Sequence, residues 1–384
     1  MTQKKSYLLP NYSRYDVNFM YGDGAYLFDN EGKKYVDLLG GIAVNIFGYN
    51  DFEIKDAVIK QLNKYNHISN LFNIELQEVI AKKLAHLANL NYVFFSNSGT
   101  EANEAAIKFA RAWGADKNKY KIIAFNGSFH GRTYGSLSAT GQPKFWKNFE
   151  PMLDGFVFAD FNNFSSVENV YDDEVCAIML EVIQGESGII VANEEFIENI
   201  SNFCKEKNIL LIVDEIQSGM GRTGKFFAHN HYNIQPDIIT LAKGIANGLP
   251  LGATICSKEV GDYIKPGMHG STFGGNPVAL AASSVVLNKL KHQVLERNIK
   301  LGNEFFEKVN KIKSEKIIEI RGKGLMIGIE FTKDINSKEL AKKLLVNNFI
   351  VGTSGEQIIR ILPPYNITFN DVDKFAALLE KLLK

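Results

Sequence analysis

One short stretch, Ile238–Gly244, reads IITLAKG and carries the two features from which the fold can be worked out. Its apolar and partly β-branched beginning, closed by a glycine, is typical of a buried strand. Lys243 stands at the end of that strand, where an ammonium loses hydration unless it has a partner or becomes neutral. Burial lowers the pKa of a lysine, and a neutral amine can attack a carbonyl to form a Schiff base. A lone lysine at a strand end more often reaches solvent. Whether Lys243 belongs to a functional site therefore depends on the residues at the ends of the other strands.

Strands and helices alternate on both sides of this stretch. The predicted strands are Tyr92–Phe95, Lys121–Phe125, Ala177–Leu180, Ile209–Val213, Ile238–Leu241 and Gly252–Cys256. Helical patterns lie between them, for example at Glu101–Arg111 and Glu194–Glu206. Repeated strand–helix–strand units predict an α/β fold, with a mainly parallel sheet covered by helices on both faces.

The two ends of the chain do not follow this alternation. Residues 24–37 predict a hairpin of two short strands, and residues 277–312 are mainly helical. Further strands are predicted at Ile317–Arg321, Leu325–Phe331 and Gln357–Ile361. We therefore predict a large domain at residues 51–277 and a smaller α+β domain formed by residues 1–50 and 278–384.

Composition and charge narrow the classes of function. Apolar residues make up 45% and charged residues 22% of the 384 residues, which is ordinary for a globular protein. The 43 basic and 43 acidic side chains balance, so the chain has no electrostatic footprint for nucleic acid. The apolar runs are too short to span a membrane, and Met1–Tyr7 lacks the apolar segment of a signal peptide. Three scattered cysteines without metal-ligand spacing predict buried free thiols, no metal site and a cytoplasmic protein.

Polar residues also follow four other predicted strands. In an open parallel sheet, ligands bind beyond the carboxyl ends of the strands. Ser98, Gly99 and Thr100 follow one strand and open a helix, whose free N–H groups could bind a phosphate. Asp214 ends a wholly apolar strand and needs a cation, such as a protonated ring nitrogen, to stay charged.

Three more polar residues follow strands in the same way. Glu181 and Glu186 come after the strand that ends at Leu180, and Arg132 follows the one that ends at Phe125. Arg132 could fork onto a carboxylate, and the neighbouring Phe129 could stack on a planar ligand. Taken alone, the helix start is more often an ordinary cap, a strand-end acid more often a structural ion pair, and the Arg132 segment as often a surface loop. Together, at one edge of a sheet, they predict a single site.

The stretch Gly219–Lys225 offers a competing interpretation, because it matches the GxxxxGK pattern of a nucleotide-binding loop. Two features count against an ATPase. Phe226 stands where a Ser or Thr should hold Mg²⁺, and Asp214 lies on the same continuous strand and loop instead of a separate strand.

Five stretches resemble, in the same order along the chain, the motifs of class III pyridoxal-phosphate aminotransferases. They are Ser98–Glu104, Phe129–Thr133, Asp214–Gln217, Leu241–Gly244 and Gly270–Pro277. The resemblance covers nearly the whole chain. It implies the type I fold of pyridoxal-phosphate enzymes, pyridoxal 5'-phosphate as the cofactor, and a homodimer whose two active sites lie at the interface.

Two further stretches, Gly40–Asn45 and Asn70–Phe72, are similar to one branch of that family. This branch transfers the amino group of N-acetylornithine to 2-oxoglutarate in arginine biosynthesis. Gly41 and Ile42 stand where ornithine δ-aminotransferases carry a tyrosine, which argues against free ornithine as the donor. Ornithine, 4-aminobutyrate and succinyl-diaminopimelate remain alternative donors, and a non-catalytic dimer is disfavoured by the intact Lys243 and Asp214.

Four residues match those that surround the cofactor ring in the family. By this resemblance, Lys243 would hold the cofactor covalently and, once displaced by the substrate amine, would move the substrate proton. Asp214 would pair with the protonated ring nitrogen, Gln217 would contact the ring hydroxyl, and Phe129 would stack on the ring. A protonated ring is an electron sink for the charge left when the substrate loses its proton.

The remaining matches concern phosphate and substrate. Gly99 and Thr100 at the helix start would hold the phosphate, and the adjacent Ser98 would also bind the cofactor. Thr272 of the partner subunit would join them. Arg132 would bind one substrate carboxylate and Arg360 a second one. Glu186 resembles the acid that masks the second arginine while the amino donor is bound.

Overall fold

The computed structural model describes residues 7–384. The sequence prediction for Met1–Tyr7 therefore lies, apart from Tyr7, outside the described residues. Within residues 7–384, no helix has the length and apolar character needed to cross a membrane. The same residues contain no group of three or more histidines, cysteines and acids that could hold a metal ion. All three cysteines are buried free thiols.

Seventeen strands form the sheets within residues 7–384. In chain order they are β1 (Phe19–Asp23), β2 (Tyr26–Asp29), β3 (Lys34–Asp37), β4 (Tyr92–Ser96), β5 (Lys121–Phe125), β6 (Phe156–Ala159), β7 (Val175–Leu180), β8 (Ile183–Gln184), β9 (Ile190–Val191), β10 (Leu210–Asp214), β11 (Ile238–Leu241), β12 (Gly252–Cys256), β13 (Ile317–Lys323), β14 (Met326–Phe331), β15 (Phe349–Ile350), β16 (Gly352–Ser354) and β17 (Ile358–Ile361).

Twelve helical segments accompany them in the described part of the chain. They are α1 (Gly40–Ala43), α2 (Phe52–Leu62), α3 (Glu75–Ala88), α4 (Gly99–Ala115), α5 (Tyr134–Ser138), α6 (Phe164–Val170), α7 (Glu194–Lys207), α8 (Lys258–Gly261), α9 (Pro277–Lys289), α10 (His292–Asn310), α11 (Ser337–Val346) and α12 (Phe369–Leu383).

The central sheet has seven strands in the order β4-β12-β11-β10-β7-β5-β6. Only β12 runs against its neighbours β11 and β4, so the predicted mainly parallel sheet is confirmed. Alternate residues of a strand point to opposite faces. On β7, Ala177 and Met179 pack with α4, whereas Ile178 and Leu180 pack with α7. Both faces are thus covered by helices, which explains why the strand is apolar throughout.

The early hairpin joins the C-terminal part of the chain. β2 and β3 pair antiparallel, as predicted, and Phe349 of β15 pairs with Val36 of β3 in parallel. A second sheet of the C-terminal part has the order β13-β14-β17-β16. One hydrophobic core contains residues of the central sheet, such as Ile239, and of this second sheet, such as Ile327. The two parts therefore pack tightly together, while the exact domain boundaries stay a prediction.

Candidate active site

A cavity of about 390 Å³ opens beyond the carboxyl ends of the parallel strands β4, β7, β10 and β11. Ten of the twelve residues proposed from the sequence line it together: Ser98, Gly99, Thr100, Phe129, Arg132, Glu181, Glu186, Asp214, Gln217 and Lys243. Ligand cavities typically measure roughly 300–1,000 Å³. The volume of this cavity therefore suits a small cofactor with a bound substrate.

Lys243 follows β11 by two residues and begins a short 3-10 turn that ends at Ala246. Its φ of 46° is left-handed, a conformation that a lysine rarely adopts and whose backbone strain is often found at functional sites. Burial of the side chain lowers the pKa of Lys243, while the charges of Glu186 and Asp214 act in the opposite direction. The amine is therefore more readily neutral, and more nucleophilic, than an exposed lysine.

Asp214 ends β10 and is almost completely buried. Its Oδ2 accepts hydrogen bonds from His130 Nδ1 and from Asn103 Nδ2, both at 2.8 Å, and its Oδ1 accepts one from Ile216 N at 3.0 Å. Thr240 Oγ1 donates to Asn103 Oδ1 at 2.8 Å and so fixes the amide. The carboxylate is held rigidly at the cavity wall.

His130 and Asn103 are two functional residues that the sequence interpretation missed. Burial alone would lower the pKa of His130, but its hydrogen bond to Asp214 and the charge of that carboxylate raise the pKa overall. Both residues lie inside motifs that had been recognised, at Phe129–Thr133 and Ser98–Glu104. The motifs therefore point to these two residues, but nothing in the local sequence indicates that both contact one carboxylate.

Ser98 caps the first turn of α4. Its Oγ accepts from Glu101 N at 3.3 Å, and Glu101 in turn accepts from Asn97 N at 2.7 Å. The first N–H groups of a helix have no partner within the helix and attract anions. Thr100 has a further task, since its Oγ1 accepts from the backbone N–H groups of Arg132 and Thr133 at 3.2 Å. The helix start is thereby tied to the loop that carries Arg132.

Two aromatic rings surround the guanidinium of Arg132. Its central carbon lies 4.1 Å from the ring centre of Phe145 and 5.4 Å from that of Phe129. The two rings meet edge to face at 5.8 Å. This aromatic contact orients the cation at the cavity wall, where it can receive a carboxylate. Phe145 is a third residue that the sequence interpretation missed.

Arg360 reaches the same region from β17. Its NH1 donates to Glu186 Oε1 at 2.6 Å and to Gly185 O at 3.0 Å. Burial alone would raise the pKa of Glu186, but the charge of Arg360 and this hydrogen bond lower it overall. Gln217 Nε2 also approaches Glu186 at 3.4 Å, whereas Gln217 Oε1 is buried without a partner in residues 7–384. That oxygen is available for a ligand.

Thr272 does not line the cavity that contains Lys243. It belongs to a separate cavity whose walls also contain Asn70, His269 and Ser271. Within one chain it is therefore apart from the residues it was expected to join. The sequence interpretation assigned Thr272 to the active site of the partner subunit, and that assignment stays a proposal.

The glycine-rich loop Gly219–Lys225 does not have the structure of a nucleotide-binding loop. Arg222 is fully buried in it and donates to the carbonyl oxygens of Pro363 at 2.5 Å and Leu325 at 3.3 Å. The loop continues into a 3-10 turn at Ala228–His231, so it does not lead directly into the helix that a nucleotide-binding loop requires. It joins the central sheet to the C-terminal part.

The side chains of the cavity fit pyridoxal phosphate. Asp214 could keep a ring nitrogen protonated, the unpartnered Gln217 Oε1 could bind the ring hydroxyl, and Lys243 could hold the aldehyde carbon. Phe129 offers a flat surface, and the start of α4 offers N–H groups for the phosphate.

Known proteins agree with this geometry. The family model described as aminotransferase class-III matches residues 9–383. An acetylornithine aminotransferase of Aquifex aeolicus is 44% identical over 381 residues, which are 98% of this chain and 100% of the relative.

Two solved structures are similar as well. An ornithine aminotransferase of Toxoplasma gondii, with partial occupancy of PLP at its active site, has a TM-score of 0.94 at 31% identity and covers 98% of this chain and 91% of its own. An N-acetylornithine aminotransferase of Stenotrophomonas maltophilia has a TM-score of 0.84 at 32% identity, with coverage of 96% and 95%.

Fold and cavity together define a pyridoxal-phosphate-dependent enzyme of the type I fold. The chain belongs to the class III aminotransferase family, since the family match and the relative both span almost its full length. The fold class, the cofactor and the aminotransferase activity predicted from the sequence are thereby confirmed.

Proposed function

We propose that the protein transfers the terminal amino group of N-acetylornithine to 2-oxoglutarate, giving N-acetylglutamate 5-semialdehyde and glutamate in arginine biosynthesis. One observation carries the proposal: Arg132 and Glu186 line the same cavity, and Glu186 forms an ion pair with a second arginine, Arg360. Such a pocket suits a donor with one carboxylate and an acceptor with two. The donor itself is suggested by relatives named acetylornithine aminotransferase, which are 38–44% identical to this chain.

The chain's own residues would divide the chemistry between them. Bound pyridoxal phosphate supplies an electron sink for the substrate carbon that loses its proton. Lys243, with its lowered pKa, would take that proton and return it on the other side of the transferred nitrogen. Asp214, fixed by His130 and Asn103, would keep the ring nitrogen protonated.

Two arginines would recognise the substrates. Arg132, held by its aromatic neighbours, would bind the carboxylate that both substrates share. Arg360 would bind the second carboxylate of 2-oxoglutarate once Glu186 has turned away from it. While the donor is bound, the ion pair leaves no unpaired charge beside the apolar part of that substrate.

Glu186→Gln tests this exchange. We expect the half-reaction with the amino donor to lose about 10-fold in kcat/KM, because Arg360 would be left without its buried counter-ion. The half-reaction with 2-oxoglutarate should lose less or improve. Single-turnover rates of each half-reaction, followed by the absorbance of the cofactor, measure both effects.

The matched control is Glu356→Gln, which neutralises an exposed glutamate near the same sheet. It should leave both half-reactions unchanged. Equal losses in the two half-reactions of Glu186→Gln would show that Glu186 only supports the structure of the pocket, and would contradict its role as a switch.

Free ornithine is the second candidate donor. The observation that favours it is the higher TM-score with the Toxoplasma gondii ornithine aminotransferase, 0.94, than with the N-acetylornithine aminotransferase, 0.84. Initial rates with both donors at equal concentration separate the candidates. We expect kcat/KM to be at least about 10-fold higher for the acetylated donor, because its α-nitrogen is a neutral amide, whereas the α-ammonium of free ornithine would need an anionic partner. Preference for free ornithine would reject the proposal.

We further propose that two copies associate and share their active sites. Thr272 lies outside the cavity of its own chain, and large apolar side chains are exposed near it, including Leu71 at 89% and Phe273 at 60%. Exposed apolar area of this kind is typical of an interface. A mass twice the 43.0 kDa of the chain is expected by light scattering. A cytoplasmic location, consistent with the three free cysteines, also stays a proposal.

Hybrid dimers test the sharing of sites. Chains with Lys243→Ala and chains with Thr272→Ala, when expressed together, should form hybrids in which one site carries both defects and the other carries none. Such a mixture should bind pyridoxal phosphate with wild-type affinity at about one quarter of its sites, because half of the dimers are hybrids. If Thr272 served its own chain, the mixture would contain no intact site.

A further inference from the structure

Glu181 is a buried carboxyl in the wall of the active-site cavity that the proposed reaction does not use. It follows directly after β7, and its residue is only 6% exposed. Buried carboxyls are costly unless hydrogen bonds or charges stabilise them, so a side chain in this position calls for a physical reason.

The two oxygens of Glu181 bind two different loops. Oε2 accepts a hydrogen bond from Phe129 N at 3.0 Å, and Oε1 accepts one from Gly185 N at 3.3 Å. The first loop continues to Arg132, whose guanidinium lies beside the Phe129 ring. The second loop leads to the acid that pairs with Arg360, and Gly185 O itself accepts from Arg360 NH1 at 3.0 Å.

We propose that Glu181 is a positioning residue that couples the two carboxylate-binding arginines, by holding the Arg132 loop and the Arg360 contact at a fixed separation. The inference rests on the proposed function, because it assumes that both arginines bind substrate. A dicarboxylate must reach both at once, and its affinity depends on how well their separation is fixed in advance. One rigid carboxylate between the loops provides this fixation.

The charge of Glu181 responds to pH in the neutral range. Burial raises its pKa to about 7; His130 and the two backbone N–H groups lower it, and Asp214 adds to the rise. Burial lowers the pKa of Lys243, and the charge of Glu181 acts in the opposite direction. The ion pair between Glu186 and Arg360 is the next charged group, since Glu186 follows Gly185 in the chain. A carboxylate accepts both hydrogen bonds fully, whereas a protonated carboxyl is a weaker acceptor. The two loops should therefore be coupled most firmly above about pH 7.

The test uses the holoenzyme and glutarate, a dicarboxylate that has neither an amine nor a keto group and so cannot react. In Glu181→Gln, one amide N–H would face a backbone N–H, and one of the two loops would be released. We expect the Kd for glutarate, measured by calorimetry at pH 8, to rise about 10-fold, as for the loss of a hydrogen bond to a charged group. Glu181→Asp keeps the charge but is too short to reach both loops, and should weaken binding similarly.

The pH dependence distinguishes positioning from general support of the fold. Wild-type Kd for glutarate should rise several-fold between pH 8 and pH 6, and this rise should vanish in Glu181→Gln. The control Glu168→Gln, which neutralises an exposed glutamate on α6, should behave as the wild type. A Kd that changes less than twofold in both Glu181 variants, or an unchanged pH dependence in Glu181→Gln, would overturn the inference.

The wild type separates this inference from the proposed function. If it binds glutarate and loses that binding in Arg360→Ala, the two-carboxylate pocket stands, and the Glu181 variants then decide on the coupling alone. If the wild-type holoenzyme does not bind glutarate at all, the proposed pocket is wrong and the coupling falls with it.

Discussion

Replacing Lys243 with alanine is expected to lower kcat/KM by about 10⁴-fold or more, because the variant loses both the covalent hold on the cofactor and the base that moves the substrate proton. Lys243 lies in the cavity at the end of β11, and burial has already lowered the pKa of its amine. The visible absorbance of the covalently held cofactor should disappear with it. Steady-state rates and an absorbance spectrum after gel filtration measure the two losses.

The matched control for this variant is Lys225→Ala, which removes an exposed lysine from the glycine-rich loop. It should keep the wild-type spectrum and rate. Mg²⁺-dependent nucleotide binding that is lost in Lys225→Ala, together with a wild type that stays colourless after addition of cofactor, would instead support the nucleotide-binding interpretation of that loop.

The strands that carry the site were predictable because burial on both faces leaves a continuous apolar run in the sequence. The predictions for β5, β11 and β12 agree with the structure to the residue. At β10 the observed strand is Leu210–Asp214, one residue later than predicted, because Asp214 still pairs with Thr240 of β11. The sequence places Asp214 after the strand because its side chain is charged, whereas its backbone still pairs with the neighbouring strand.

Two features of the central sheet could not be derived from local patterns. The sequence GATIC of β12 is buried at every position, and such a run does not indicate whether a strand is parallel or antiparallel to its neighbours. The edge strand β6 was missed, although its four residues FVFA form an apolar run as long as that of β11. Direction and edge position depend on the chain connections, which are long-range properties.

The residues of the candidate site also fall into those that the sequence predicts and those that it does not. Residues at the carboxyl ends of strands, such as Asp214 in the last position of β10 and Lys243 two residues after β11, were found because chain order alone brings them to one edge of the sheet. His130, Asn103 and Phe145 were missed because their role consists of contacts across the fold. Asn103, for instance, lies 111 positions before the carboxylate that it holds. Local sequence indicates which residues can react, and tertiary packing selects those that orient them.

Arg132→Ala is expected to cost about 2–5 kcal/mol of transition-state stabilisation, roughly 30- to 5,000-fold in kcat/KM, with both the amino donor and 2-oxoglutarate. The guanidinium is exposed in the structure, but a bound substrate would cover it together with its own carboxylate. Because the two substrates share that carboxylate, both half-reactions should suffer equally. Arg132→Lys should lose less, since it keeps the charge and gives up only the forked geometry and the contact with Phe145.

Comparing the two half-reactions tests whether Arg132 binds the carboxylate that both substrates share. Lys147→Ala removes an exposed cation from the segment that carries Phe145 and should leave both rates unchanged, which excludes a general effect of charge on steering. If Arg132→Ala harms only the reaction with 2-oxoglutarate, Arg132 binds the carboxylate that the donor lacks. Arg360 would then have to bind the shared carboxylate, and its ion pair with Glu186 would open for the donor instead of the acceptor.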